Sequence, residues 1–230
     1  SILLIFLAAA FIYIKSSTYH PTEQANTVAQ KAEKKDGVLL FKGKPDKPSL
    51  IFYQGAFVEN ASYSIWASKV AEAGYSVYLL KEPLNLAVLS PNKAESIIKA
   101  ENISSYVVGG HSLGGVMASR FAEKNQDKSP LQGVFFLASY PDEKGSLKDF
   151  KGKVLSIVGS KDGVLNWSSY KKAKEYLPQQ TVNVAIKGGN HAGFGSYGVQ
   201  KGDKQADISN EKQQEEIASE LINWLKTSEK

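Results

Sequence analysis

The chain contains no cysteine. Disulfide scaffolds, thiolate metal sites and a cysteine nucleophile are therefore excluded. Arginine is nearly missing too: Arg120 stands alone, and the net charge of +5 is carried by scattered lysines. Nucleic-acid binding calls for a focused basic stripe, usually rich in arginine. The lysines read instead as a solvated surface, and no nucleic acid is expected as a partner. Glycine-rich repeats, low-complexity tracts, phosphate loops and clusters of metal-ligating residues are lacking, so no cofactor or metal is expected. The rest is ordinary for a folded protein: 42% apolar and 22% charged residues over 230 positions, enough for one domain and a short extra segment.

That extra segment is the amino end. Residues 1–14 read SILLIFLAAAFIYI without a charge, and Lys15 closes the run. As a helix the run spans about 21 Å, short of the roughly 30 Å hydrocarbon core, so a few further residues upstream are expected. The adjoining KSSTYHPTEQ lacks the small-residue pattern of a cleavage site. We read residues 1–15 as a transmembrane anchor, with a cleaved signal segment as the alternative. Both readings put the remainder outside the cytoplasm, anchored in one case and secreted in the other. Residues 16–36 read as a juxtamembrane linker or helix, with a weak apolar face of Ala25, Val28, Ala29 and Ala32. The globular domain is expected over residues 37–230.

Within it, short β-rich runs alternate with helical patterns. Strands are expected at Val38–Phe41, Leu50–Tyr53, Ser76–Leu80, Tyr106–Gly109, Gly133–Ala138, Lys153–Val158 and Val182–Ile186, the first two as an antiparallel start. The clearest helix is the last, Asn210–Lys226, with Asn210 as cap and Ile217, Leu221, Trp224 and Leu225 on one stripe. Continuously apolar runs such as Val134-Phe135-Phe136-Leu137 suit parallel strands buried on both faces. The pattern implies an α/β fold: a mostly parallel twisted sheet of about seven strands, with helices on both faces. In such sheets the working residues lie beyond the carboxyl ends of the strands.

The strongest chemical signal is Gly110-His111-Ser112-Leu113-Gly114. It comes after a predicted strand and opens a predicted helix, as a G-x-S-x-G turn must to lift a serine hydroxyl above a sheet. The small residues let strand and helix backbones pass closely. A serine needs a base. Of three histidines, His20 precedes the domain and His111 adjoins the serine with its side chain expected to point elsewhere. His191, on the loop past Val182–Ile186, remains as the base. An acidic partner must fix the imidazole tautomer. Asp162, directly after Lys153–Val158, is preferred over Asp142 beside Pro141. For the oxyanion, one N–H is expected from Leu113 and another from the loop Gln54-Gly55-Ala56-Phe57, with Ala56 preferred and Phe57 as the alternative.

Gly110-His111-Ser112-Leu113-Gly114-Gly115 resembles the nucleophile elbow of the α/β-hydrolase superfamily of esterases and lipases. The stretches IFYQGAFVENASYSIWA, LKEPLNLAVL, VVGGHSLGG, VLSIVGSKDGVLN and GGNHAGFGSYG resemble a compact, membrane-anchored bacterial branch related to dienelactone-hydrolase-like proteins. The resemblance implies Ser112 as nucleophile, Asp162 as acid and His191 as base, with no cofactor. Dienelactone hydrolases proper use cysteine, so a lactone-specific activity is not implied. Residues 139–152 are too few for a helical cap, and much of the usual amino-terminal sheet edge looks missing.

The expected chemistry is cleavage of a small-molecule or lipid-like carboxylic ester through an acyl-enzyme. Without a cap, loops must wall the pocket, and Phe57, Tyr63, Leu84, Asn85, Leu86 and Tyr140 are the candidates. An acyltransferase or thioesterase with the same triad competes with this reading. A catalytically silent, membrane-tethered binding protein is a third, from outside the enzymes.

Overall fold

A computed structural model describes residues 10, 12–127 and 130–227. The expected anchor therefore lies largely outside the described residues; residues 12–17, at its end and just beyond, are helical. Among the described residues no helix is long and apolar enough to cross a membrane.

The segment expected to be linker or helix contains both a helix and a strand. Helix α1, Glu23–Ala29, is capped by the Thr22 side chain, which accepts from the Ala25 N–H, and it buries Ala25 and Ala29. Strand β1, Glu33–Lys35, comes next. It pairs antiparallel with β2, Val38–Phe41. Strand β3, Ser49–Tyr53, then leads through a short 3₁₀ turn to helix α2, Ser64–Glu72. The chain continues as β4, Val77–Leu79, and α3, Lys93–Ala100. Strand β5, Tyr106–His111, and helix α4, Leu113–Asn125, frame the serine. Strands β6, Leu131–Leu137, and β7, Lys153–Gly159, precede the short α5, Trp167–Lys172. Strand β8, Val182–Ile186, and the long α6, Asn210–Lys226, end the described chain.

The eight strands form one sheet in the order β1-β2-β4-β3-β5-β6-β7-β8. From β4 to β8 every pairing is parallel. The expected antiparallel start is corrected: β2 pairs with β4, which lies between it and β3. The reason is the loop between them. Gly43 N–H donates to Ser76 Oγ and Lys44 N–H to the Gly74 carbonyl, which ties the loop to the approach of β4 rather than folding it into a hairpin. The sheet edge expected to be missing is present in short form as β1 and β2. All three β1 residues are exposed. A charged edge of this kind discourages pairing with another chain and carries no apolar alternation to reveal it.

Successive residues of each central strand face opposite layers. Leu50, Phe52, Val107, Phe135 and Leu137 join Trp66 and Val70 of α2 and Ile217, Leu221 and Trp224 of α6 in one core. Ile51, Tyr53, Val108, Val134 and Phe136 join Met117, Ala118 and Phe121 of α4 in the other. Between β6 and β7 there is a single 3₁₀ turn, Glu143–Gly145, and no cap domain stands among the described residues. At α6 the cap is Ser209, whose side chain accepts from Lys212 N–H, not Asn210. Asn210 instead accepts from Ser196 Oγ and donates to the Gly195 carbonyl, bonds that lie outside the helix.

The centre of the sheet is tightly filled. A Cβ on Gly109 would lie 2.5 Å from the Phe135 ring, which itself packs against Phe52 and Trp224. Gly109→Ala is expected to cost about 1–3 kcal/mol from overpacking, read from the urea midpoint. Adding Phe135→Leu should cost less than the sum of the two single changes, because it opens the space the new methyl needs.

Candidate active site

Ser112 sits between β5 and α4 with φ +52 and ψ −122. A non-glycine residue pays about 1–3 kcal/mol for such a conformation and keeps it only where its surroundings impose it. They do so here through backbone crowding. A Cβ on Gly110 would meet the Gly114 carbonyl carbon at 2.3 Å, and one on Gly114 would meet the Tyr53 carbonyl oxygen at 2.2 Å. The close passage read from the glycine spacing is thus present. Ser112 N–H donates to the Leu137 carbonyl at 3.0 Å, and the Ser112 carbonyl accepts from Ser139 Oγ at 2.6 Å. The turn that carries its hydroxyl is therefore fixed at both backbone ends. Leu113 opens the helix, so its N–H is among the donors without an intrahelical partner.

Asp162 and His191 lie on the loops after β7 and β8 and are 1% and 2% exposed. Asp162 Oδ2 stands 2.8 Å from His191 Nδ1. Oδ1 accepts from the N–H groups of Val164 at 2.9 Å and Leu165 at 2.7 Å. A carboxylate so supplied with donors holds the imidazole with its proton on Nδ1 and leaves Nε2 able to accept one. The His191 ring lies 4.6 Å, centroid to centroid, from that of His111, the residue preceding Ser112. Asp162 and His191 thus meet each other, and Ser112, at the end of β5, lies at the same edge of the sheet as the loops that carry them. Asp142 is engaged elsewhere: both its oxygens accept from Arg120, and it caps the turn at Gly145. Partial burial works against its ionisation, but the Arg120 bond and charge prevail and hold the carboxyl below its usual range.

The loop after β3 also discriminates between the expected oxyanion donors. Phe57 N–H is spent on the Asn85 carbonyl at 2.8 Å, Val58 N–H on the Gly55 carbonyl and Gly55 N–H on Tyr63 Oη. Ala56 N–H has no partner among the described residues. Of the expected pocket walls, Phe57, Leu86 and Tyr140 are half-buried, but Tyr63 is corrected. It is fully buried beneath the loop, with Oη 2.9 Å from both Gly55 N and His111 Nδ1. Burial pushes its phenol far up, so it stays neutral. His111, expected to point away from the serine, packs its ring between Tyr63 and His191. Burial, then the neighbouring His191, keeps His111 well below the usual histidine range and hence uncharged.

Several residues that hold this arrangement carry no signal in the sequence motifs. Asp203 is the chief one. Its Oδ1 accepts from Gly163 N–H at 2.9 Å and its Oδ2 from Ala192 N–H at 2.8 Å. One carboxylate thereby ties the residue after Asp162 to the residue after His191. On α6, Gln213 exchanges bonds with the Asn190 backbone and Gln214 donates to the Gly193 carbonyl. Both glutamines are buried; polar residues beside an apolar stripe were the one hint of it in the sequence. Beneath the β3 loop, Gln54 donates to the Val58 carbonyl and to Asn85 Oδ1, and accepts from Glu82 N–H. The buried Glu82 carboxyl is pushed up to about 7 by burial, against the opposing influence of Lys93 and Ser90.

With that geometry in hand, the comparisons with known proteins are unambiguous about the family. Residues 49–215 match the model of the Alpha/beta hydrolase family, and the chain belongs to it. No curated protein matches the chain in sequence. Among solved structures, the monoacylglycerol lipase of Paleococcus ferrophilus superposes with a TM-score of 0.64 at 16% identity, covering 82% of this chain and 97% of that one. A thermophilic esterase from Thermogutta terrifontis gives 0.60 at 13% identity, covering 86% and 97%. Est1E from Butyrivibrio proteoclasticus gives 0.56 at 15%, covering 84% and 97%. At these identities the likeness is one of fold.

Asp203→Ala should raise amide exchange at Gly163 and Ala192 by about tenfold or more, since bonds to a charged acceptor are worth about 1.5–3 kcal/mol, while β5 amides keep their protection. Glu82 has a folded pKa above its unfolded value, so its stabilising share is whole below pH 4.5 and is lost as pH rises through about 7. Glu82→Gln should therefore melt higher than the parent at pH 8 and show no such gain near pH 4.5.

Proposed function

We propose that the protein is a serine hydrolase that cleaves carboxylic esters through an acyl-enzyme. The observation that carries this reading is the buried 2.8 Å contact between His191 Nδ1 and Asp162 Oδ2 beyond the same sheet edge as the strained Ser112 turn. In the proposed reaction His191 Nε2 takes the Ser112 proton as Oγ attacks the acyl carbonyl. The carbonyl oxygen becomes an oxyanion facing the N–H groups of Leu113 and Ala56. His191 then passes its proton to the leaving alcohol. Water, deprotonated by the same imidazole, releases the acid and restores the serine. Asp162 keeps the imidazole in the required tautomer and stabilises the imidazolium.

Small-molecule esters are the supported substrate class, in keeping with the esterase and lipase names of the structural neighbours. The narrower likeness to dienelactone-hydrolase-like proteins adds no lactone activity, since the proposed nucleophile is a serine. Residues 1–15 are proposed as a membrane anchor that leaves the hydrolase domain outside the cytoplasm, on the strength of the uncharged run SILLIFLAAAFIYI.

A fluorophosphonate probe should label the parent protein and fail to label Ser112→Ala. Labelling of both, or of neither, would overturn the assignment. Asp162→Asn should lower ester turnover by about 10⁴. Asp142→Asn should leave turnover within about threefold and cost no more than the roughly 0–1 kcal/mol of a surface ion pair.

A further inference from the structure

The loop that carries Ala56 is stitched to the chain on both sides. On one side Phe57 N–H donates to the Asn85 carbonyl at 2.8 Å. On the other the Phe57 carbonyl accepts from Tyr19 N–H at 2.8 Å, and Glu59 N–H donates to the Tyr19 carbonyl at 3.1 Å. Tyr19 thereby forms a parallel bridge with Val58. These bonds join two apolar features to one loop. The first is the run of residues 1–14, which ends five positions before Tyr19. Its described residues Ile12 and Tyr13 are 65% and 66% exposed.

The second feature is the segment after β4. Leu84, Val88 and Leu89 are 49%, 48% and 52% exposed. Single exposed aliphatics are common, but three within six residues make a patch that water disfavours. The segment is firmly seated: Ala87 is buried in the same core as Met117 and Ala118 of α4. The patch is therefore held in place rather than loosely draped, and it stands at the carboxyl edge of the sheet, where the Ser112 turn also opens.

We infer that this edge faces a lipid bilayer, and that the proposed active site takes its ester from that bilayer. The inference rests on the hydrolase reading for its chemistry and on the two apolar features for its geometry. A chain leaving the membrane through residues 1–14 reaches the loop carrying the proposed oxyanion donor within a few residues. The aliphatics of residues 84–89 then extend the same contact beside the site. The class of substrate is an acyl ester resident in a leaflet, whose chain stays in the hydrocarbon while its carbonyl reaches Ser112. With no cap domain among the described residues, the leaflet itself supplies the apolar cover over the pocket.

The lack of cysteine makes the test clean. In the full chain, Leu89→Cys is labelled with a polarity-sensitive dye, and Asp46→Cys, on the loop leading into β3 at the opposite edge, serves as control. The chain is incorporated into vesicles of phosphatidylcholine with phosphatidylglycerol. A blue shift at position 89 and none at 46 is expected. No shift at 89, or equal shifts at both, overturns the orientation. In parallel, the double variant Val88→Ser/Leu89→Ser should lower turnover of a long-chain ester held in the vesicles by tenfold or more, while turnover of a short soluble ester stays within twofold. Equal effects on the two substrates overturn the proposal. If the parent turns over neither ester yet the dye shifts only at 89, the bilayer contact stands and the hydrolase reading falls. If soluble ester is turned over and the dye is silent, the reverse holds.

Discussion

The site depends on one steric constraint: the backbone of α4 enters the sheet so closely that residues 110 and 114 have no room for a side chain. A methyl on Gly114 would overlap the Tyr53 carbonyl oxygen at 2.2 Å. That closeness has two effects at once. It brings the first turn of α4, with its unspent N–H groups, up to the end of β3, and it forces Ser112 to a positive φ. The proposed nucleophile and the proposed oxyanion loop are therefore set by the same contact. Relaxing it would move both.

The strain is not confined to Ser112. Phe57, Leu84, Asn85 and Ala138 also have positive φ, and they lie just past β3, β4 and β6 at the same edge as Ser112. Such conformations are unfavourable and are kept where bonds over-determine them. Here the bonds are visible. Asn85 accepts from Phe57 N–H through its carbonyl and from Gln54 and Lys81 through its side chain. Ala138 N–H donates to the Ile157 carbonyl, next to the Ser139 bond to the elbow. The opposite edge carries fewer such residues: Asn102, beside a turn, is the one non-glycine case among the described residues, while Asp36, in the turn between β1 and β2, lies past the end of β4 on the same side as Ser112.

How much is legible in the sequence depends on how local each signal is. The G-x-S-x-G turn is five adjacent residues, and its neighbours on either side are a strand and a helix of unmistakable pattern. Asp162 and His191 can be placed because each comes after an apolar strand, and parallel strands deliver their exit loops to one edge. The pairing of β2 with β4 is not legible, because it depends on Gly43 and Lys44 finding Ser76 and Gly74, residues about thirty positions away in the chain. Strand β1 is hidden for a different reason: Glu-Lys-Lys on an exposed edge has no apolar period to read. Tyr63 reads as a pocket wall because an aromatic near a site suits either role. Only the bonds of its hydroxyl to Gly55 and His111 distinguish them.

The residues that sequence reasoning overlooks share a chemical character. Asp203, Gln213 and Gln214 are polar, and none belongs to a recognisable motif; Gln54 stands in the expected oxyanion loop, but its bracing bonds are not readable there. Each satisfies backbone groups in the loops around the site that would otherwise be left without partners, which costs about 1–3 kcal/mol for a buried group. With no cap domain among the described residues to brace those loops, single side chains perform the task. Asp203 shows why the arrangement is economical in residues. By accepting from Gly163 and Ala192 together, it fixes the separation of the two loops rather than the position of either one. The Asp162–His191 contact is therefore supported by a second carboxylate, whose bonds go to backbone and not to the imidazole. A polar tie of this kind can be placed by any residue of suitable length, so its identity is decided by three-dimensional proximity and leaves no trace in spacing or period.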